Sequence, residues 1–430
     1  MRILIIGKLP PIEGGAANLT LGTALALVSE GHFVDLLSDC LEVEPTMRDL
    51  LFSDYNGFTD SKLNFHYPTQ LGKFVQFPSS SLRMERLIGK AIQLTSLNKY
   101  DLIIGWYIIP YAYVALKASK LNNIKLMIIH GGSDIMTLSE HEDLKFLIKD
   151  ILSNADIIIT ANNEITQSKL IELGASKSQF AVLPRGLPLP IYHKNKENES
   201  LETLCSKILD EITISFQYDH EIKALFNQTS AYKKPSGTVF TIYGKVSSGK
   251  STNEILKSLN LLAEEGHDFT LIGAFCGERD CLKSSLEFVT SHPELLRRSI
   301  LLPAVAPWII PILLAHADVG ICSEFNYGVV NHYSIIPREM MNAGLALIVS
   351  RDIANSPFYK WILKEHTNTL VVDNPACFTS IFSQILEDDL KLFELKKLSL
   401  DTSRYVEHYL SVRNPIVDII AELEKNMLIK

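Results

Sequence analysis

The sequence predicts an α/β protein built from two Rossmann-like, doubly wound parallel-sheet domains facing a central cleft. Its 430 residues, 47% apolar and 21% charged, are enough for two separate cores. The plan of residues Ile3 to Ser38 recurs from Val239 to Gly273, and the stretch Ala317 to Ser350 sets a polar, helix-bearing loop between two apolar strands.

In the first copy, the strand Arg2 to Ile6 leads into GKLPPIEGGAAN and a helix with Leu21, Ala24, Leu25 and Val28 at helical spacing. Glu30-Gly31-His32 and the strand Phe33 to Leu37 follow. The second copy has the strand Val239 to Tyr243, then GKVSSGKST and a helix carrying Ile255, Leu259 and Leu262. It closes with Glu265-Gly266-His267 and the strand Phe269 to Ile272. Shared order of elements, more than the short Glu-Gly-His repeat, marks two units of one kind.

The expected organisation is a first domain over 1–191, a charged connector or insertion over 192–237, a second domain over 238–405 and a C-terminal segment over 406–430. KNKENES and KKPSG bracket the connector. Pro415 opens a last helix with Ile416, Ile419, Ile420 and Leu423 on one face.

A net charge of −8 gives no global basic field, so nucleic acid is not an expected partner. No apolar run reaches the roughly 20 residues of a membrane-spanning helix. Peripheral contact with a bilayer stays compatible with the sequence. Six scattered cysteines and an N-terminus that opens directly on a strand favour a reducing cytoplasm. Cys276 and Cys281 lack a second well-spaced pair, so they read as free thiols and no metal site is expected.

The chemistry concentrates between Ala317 and Ser350. Val319 to Cys322 and Leu345 to Val349 read as buried strands, and Pro337 followed by Glu339 and Gly344 reads as a short helix between them. Glu324, Asn331 and His332 lie on the loop feeding that helix, and Arg338 sits in its first turn. A helix N-terminus aimed at strand ends offers free N–H groups and partial positive charge to an anion.

Strand, acidic loop, Pro-x-Glu-x-x-x-x-Gly helix and apolar strand resemble the donor-sugar site of family-4 glycosyltransferases of the GT-B fold. The family shows a Glu, seven residues and a second Glu. Here Glu339 is the second and Asn331 stands at the first position, where an amide would hold a sugar hydroxyl less tightly than a carboxylate. The resemblance implies that Glu339 binds the nucleotide ribose, that Glu324, Asn331 and His332 lie near the sugar ring, and that the Pro337 helix, with Arg338, faces the donor. Gly244-Lys245 and Lys250 match the family's diphosphate-binding Gly-Lys pair and later Lys, with Ser251 where Gly is usual.

In the first half, His130 in HGGSD follows an apolar strand, and by resemblance faces the acceptor and the reacting sugar, with Asp134 beside it. Arg185 stands where the family often has Asn, on the acceptor side, and Gly14-Gly15 would let backbone N–H groups approach the donor. The last helix is expected to cross back onto the first domain.

The resemblance implies retaining transfer of a sugar from a UDP- or GDP-linked donor to a hydroxyl acceptor on a glycan, a lipid-linked glycan or a small molecule, without a cofactor. No Asp-x-Asp occurs, so lysines and backbone groups, in place of a chelated metal ion, are expected to stabilise the leaving diphosphate. Two other readings compete. GKVSSGKS at 244–251 matches the P-loop pattern, with Lys250 on phosphates and Ser251 on magnesium, which would make an NTPase or kinase. A scaffold that binds a sugar nucleotide or a protein partner without turnover is the third, favoured by Asn331.

Overall fold

The computed structural model describes residues 1–10, 12, 14–39, 60–68, 79–183, 187, 189–190, 200–214, 219–325, 334–410 and 414–428. In the first domain β1 (Arg2–Ile6), β2 (Phe33–Leu37), β3 (Leu63–His66), β4 (Leu102–Trp106), β5 (Lys125–Ile129), β6 (Ile157–Ala161) and β7 (Phe180–Leu183) form one sheet. Their order is β3-β2-β1-β4-β5-β6-β7, with every pairing parallel. Ile3 and Ile5 pack into one apolar cluster while Leu4 and Ile6 pack into another, so both faces of β1 are buried. Burial on both faces is why these strands read as unbroken apolar runs.

The second sheet holds β8 (Thr238–Val246), β9 (Phe269–Gly277), β10 (Ser299–Pro303), β11 (Val319–Cys322), β12 (Ala346–Ser350) and β13 (Leu370–Val372). Its order, β10-β9-β8-β11-β12-β13, repeats that of the first sheet and is again all parallel. The order reverses between β1 and β4 in one sheet and between β8 and β11 in the other, which places ligand crevices at their carboxyl ends.

Five helices position the site. α1 (Gly15–Ser29) follows β1, and α2 (Thr252–Glu264) follows β8. The short α3 (Ile336–Asn342), with proline in its first turn, precedes β12, and the long α4 (Asp389–Leu410) packs on α3 and β12. In α5 (Pro415–Leu428), Ile416 and Ile420 are fully buried in one cluster with Ile3, Ile5 and Leu21, while Ile419 and Leu423 pack against it. The last helix therefore packs on the first domain. Among the described residues no helix is long and apolar enough to cross a membrane.

Three local readings change. β8 and β9 run through Val246 and Gly277, because nine consecutive residue pairs hold them together. The segment expected as a connector contributes Leu204, Cys205, Ile208, Ile222 and Phe226 to the second core, and the Thr229 and Ser230 hydroxyls donate to the Leu301 carbonyl at 3.1 and 2.7 Å. Finally, α4 continues through the expected 405/406 boundary, and α5 starts where Asn414 Oδ1 accepts from the Ile416 N–H at 3.0 Å.

Candidate active site

The two domains meet through α1 and α3. Gly14, at φ 117°, caps α1, and one turn on the Asn18 amide donates to Glu339 Oε1 at 3.2 Å. The Tyr243 hydroxyl, from β8, donates to Glu339 Oε2 at 2.7 Å. Burial pushes the Glu339 carboxyl above its ordinary range, against the hydrogen bond from Tyr243, the charge of Arg338 and the bond from Asn18. An ionised carboxylate accepts about four hydrogen bonds, so these two leave capacity for a vicinal diol. A Cβ built on Gly15 would lie 3.7 Å from Ile335, which sets the start of α1 against the start of α3.

At the carboxyl ends of β8 and β11, Tyr243, Gly244, Lys245, Lys250, Thr252, Cys322 and Ser323 enclose a cavity of about 20 Å³. That volume holds little more than a water molecule. Lys250 Nζ donates to Glu324 Oε1 at 3.1 Å, with the two side chains 14% and 5% exposed. Glu324 is held by its backbone: its N–H donates to the Ser350 hydroxyl oxygen at 2.9 Å, and that hydroxyl donates to its carbonyl at 2.8 Å. Burial pushes the Cys322 thiol up to about 12, so it is no thiolate nucleophile.

Across the 248–251 loop lies a more open cavity of about 440 Å³, lined by Ser248, Ser251, Glu254, Phe325, Asp352, Asp373, Asn374 and Pro375. Its size suits a small molecule, but its carboxylates repel a diphosphate, whereas Lys245 and Lys250 attract one.

The P-loop arrangement is not formed. Gly244, Lys245 and Val246 stay in the ladder opposite Phe275, Cys276 and Gly277, so this backbone does not turn to cradle phosphate. Ser251, expected on magnesium, is 3% exposed and takes a left-handed conformation (φ 50°, ψ 34°) before α2.

Arg338 is corrected more sharply. Its guanidinium is fully buried, donating from Nε and Nη2 to Glu407 Oε1 at 2.9 and 2.6 Å and from Nη1 to the Leu187 carbonyl at 2.8 Å. It ties α3 to α4 and to the end of the first domain, so its guanidinium is engaged within the protein where the resemblance implied a donor-facing group. Pro337 is buried in the first turn of α3, and Asn331, His332 and Arg185 lie outside the described residues.

On the first domain, His130 and Asp134 follow β5. The His130 ring is within hydrogen-bond distance of the Gly131 carbonyl (Nδ1, 3.1 Å) and the Thr160 hydroxyl (Nε2, 3.3 Å). Burial depresses its pKa to about 4, outweighing the bond to Gly131, so at neutral pH it is an uncharged hydrogen-bonding group. Asp134 is fully buried. Its Oδ2 accepts from the Ile108 and Gly131 N–H groups, both at 3.0 Å, while Oδ1 has no hydrogen-bond partner among the described residues. Burial raises this carboxyl to about 7, although those N–H groups pull the other way. Asp134 therefore braces the turn after β5 in place of presenting a charge to an acceptor.

These two shifts have opposite consequences for stability. Asp134, raised from 3.8, binds a proton more readily folded than unfolded, so its contribution is full below about pH 4 and lost as pH rises to about 7. His130, lowered from 6.5, contributes above about pH 6.5 and loses that as pH falls to about 4. Between pH 4 and 6.5 they largely cancel. Asp134→Asn removes one of them and should leave unfolding stability falling by roughly 3 kcal/mol more than wild type between pH 6.5 and 4. Urea titrations across that range test this, and parallel profiles would contradict it.

Sequence reasoning missed Asn18 and Tyr243. Asn18 lay in view as one turn beyond Gly14-Gly15, but its partner is 321 residues away. Tyr243 entered only as the last residue of an apolar strand.

Two doubly wound domains with matching strand order, meeting at the carboxyl ends of both sheets and sealed by a returning C-terminal helix, define the GT-B fold. No family model matches the sequence, and no curated protein is similar to it. Among solved structures, the chain is similar to Anabaena HepE in complex with UDP and glucose, with 16% identity, 99% of each chain covered and a TM-score of 0.60. It is similar to the sucrose-phosphate synthase of Thermosynechococcus elongatus, with 14% identity, 99% of each chain covered and a TM-score of 0.62. A third similar structure is WaaG, a glycosyltransferase involved in lipopolysaccharide biosynthesis, with 12% identity, 98% of this chain and 99% of that one covered and a TM-score of 0.55.

Proposed function

We propose that the protein is a retaining glycosyltransferase that moves a sugar from a nucleoside diphosphate donor to a hydroxyl acceptor. The observation that carries this reading is the convergence of Lys245 and Lys250 on one cavity at the carboxyl ends of β8 and β11, in the domain whose Ile335, at the start of α3, meets Gly15 of α1. The presence of UDP and glucose in the HepE complex supports a sugar nucleotide as donor.

In the reaction, the bond from the anomeric carbon to the donor phosphate oxygen breaks while the acceptor oxygen bonds to that carbon on the same face. The acceptor proton passes to the departing phosphate oxygen. Lys245 and Lys250 neutralise charge that grows on the diphosphate, and Glu339 takes the ribose diol. His130, neutral, orients the sugar or acceptor hydroxyl.

A thermal-shift panel tests the reading, using UDP, GDP, ADP, their sugar conjugates, and ATP or GTP with and without magnesium. Stabilisation by one diphosphate and its sugar conjugates without metal is expected, growing to about 2.7 kcal/mol at a hundredfold excess over Kd. Stabilisation only by a triphosphate with magnesium would overturn it.

A further inference from the structure

Lys8 follows β1 and Tyr107 follows β4, at the point where the strand order of the first sheet reverses. Tyr107 has φ 81° and ψ 138°, a region that side-chain-bearing residues avoid. The fold imposes it from both sides: the Tyr107 N–H donates to the Ile129 carbonyl and its carbonyl accepts from the Ala112 N–H, each at 2.8 Å. The result throws the phenol across the turn after β5, where a Cβ on Gly131 would lie 2.6 Å from Tyr107 Cζ and 2.8 Å from its hydroxyl. Gly131 is therefore the residue that makes room for the ring, and His130 is its neighbour. On this platform sits Lys8 Nζ, 5.0 Å from the ring centroid. Among the described residues Lys8 makes no ion pair or hydrogen bond, in a protein whose acids outnumber its bases by 49 to 41.

We infer that Lys8 and Tyr107 form an anion subsite for the acceptor, which is a hydroxyl compound carrying a phosphate or carboxylate group. This rests on the glycosyltransferase reading and adds the acceptor's charge to it. The aromatic face holds the ammonium in place without neutralising it, since a ring quadrupole attracts a cation but leaves its N–H donors available. The first sheet's crevice puts that ammonium on the acceptor side, apart from the two lysines of the second domain. A phosphate or carboxylate on Lys8 would bring a neighbouring hydroxyl toward His130.

Isothermal titration of the full chain with glucose, glucose 6-phosphate and glucuronate, each with and without saturating UDP, tests the subsite. UDP binding itself, read separately, reports on the glycosyltransferase reading, so either idea can fail alone. A charge-assisted contact should make at least one charged hexose bind about ten- to hundredfold more tightly than glucose. The phosphate and carboxylate arms tell which anion fits. Lys8→Met should abolish the preference, Lys8→Arg should retain most of it, and Gly131→Ala, which displaces the ring, should weaken it with Lys8 intact. Equal binding of charged and neutral hexoses, binding of none of them, or a preference that survives Lys8→Met would overturn the inference. So would a loss of UDP affinity in Lys8→Met as large as the loss of anion preference, since Lys8 would then serve the donor.

Discussion

Lys250→Met should lower kcat/KM for the donor by about 10²–10³-fold, the usual cost of removing one group that stabilises a leaving oxyanion. Lys250 is nevertheless not idle before the donor arrives: its ammonium is paired at 3.1 Å with Glu324, whose side chain is only 5% exposed. On the proposed reading, an incoming diphosphate competes with that carboxylate. Unit charges about 4 Å apart interact at about 4 kcal/mol where the effective dielectric constant is near 20, which sets the scale of the competition. Glu324→Gln should therefore tighten UDP binding, by about tenfold if a third of that energy is recovered. If Glu324 also accepts from sugar hydroxyls once released, the same variant should bind UDP-glucose no better than wild type does. Opposite signs for UDP in Lys250→Met and Glu324→Gln, measured by isothermal titration, would establish the exchange; weaker UDP binding in both would reject it. Because Lys250→Met removes the ammonium paired with the buried Glu324, its thermal stability must be measured alongside.

The fold was legible because its signals are local and repeated. Apolar runs such as Ile3 to Ile6 report strands buried on both faces, and proline and glycine punctuate the helices around them. α5 could be assigned to a core from Ile416, Ile419, Ile420 and Leu423 alone, although only the family resemblance said which core. The site was legible in composition more than in geometry. Lys250 and Glu324 were both singled out, yet nothing in their spacing says that each occupies the other. The charged ends of 192–237 hid Leu204, Ile208 and Phe226, which the second core buries completely or nearly so. GKVSSGKS fits a P-loop pattern by letter, but the ladder with Phe275 to Gly277 is a property of β9, which no motif in β8 encodes. Tyr107 is the plainest case. Its unusual backbone arises from bonds to Ile129 and Ala112 on neighbouring elements, and a tyrosine after a strand carries no trace of them.

Arg338 and Glu339 are adjacent in α3 and serve opposite ends of the problem, which their variants should separate. Successive helical residues point about 100° apart, so the residue beside a cleft-facing glutamate is turned toward the protein. Arg338 is 0% exposed, bonded twice to Glu407 and once to the Leu187 carbonyl, with its guanidinium 5.6 Å from the Phe358 ring centroid. Arg338→Ala strands Glu407 and that carbonyl and should cost about 3–5 kcal/mol. The double variant Arg338→Met, Glu407→Leu, which removes both charges and keeps the volume, should recover much of that loss, whereas a purely local contact would make the two losses add. Folded Arg338→Ala should still bind UDP within about twofold of wild type if the pair is structural, a margin of less than 0.5 kcal/mol. Glu339→Gln should do the reverse. It keeps the shape that meets Tyr243 and Asn18 and so loses little stability, but it would replace the charge-assisted bonds proposed to the ribose with neutral ones and should weaken UDP by about tenfold or more. If Arg338→Ala weakened UDP as strongly as Glu339→Gln while leaving the melting temperature unchanged, the arginine would belong to the donor site after all.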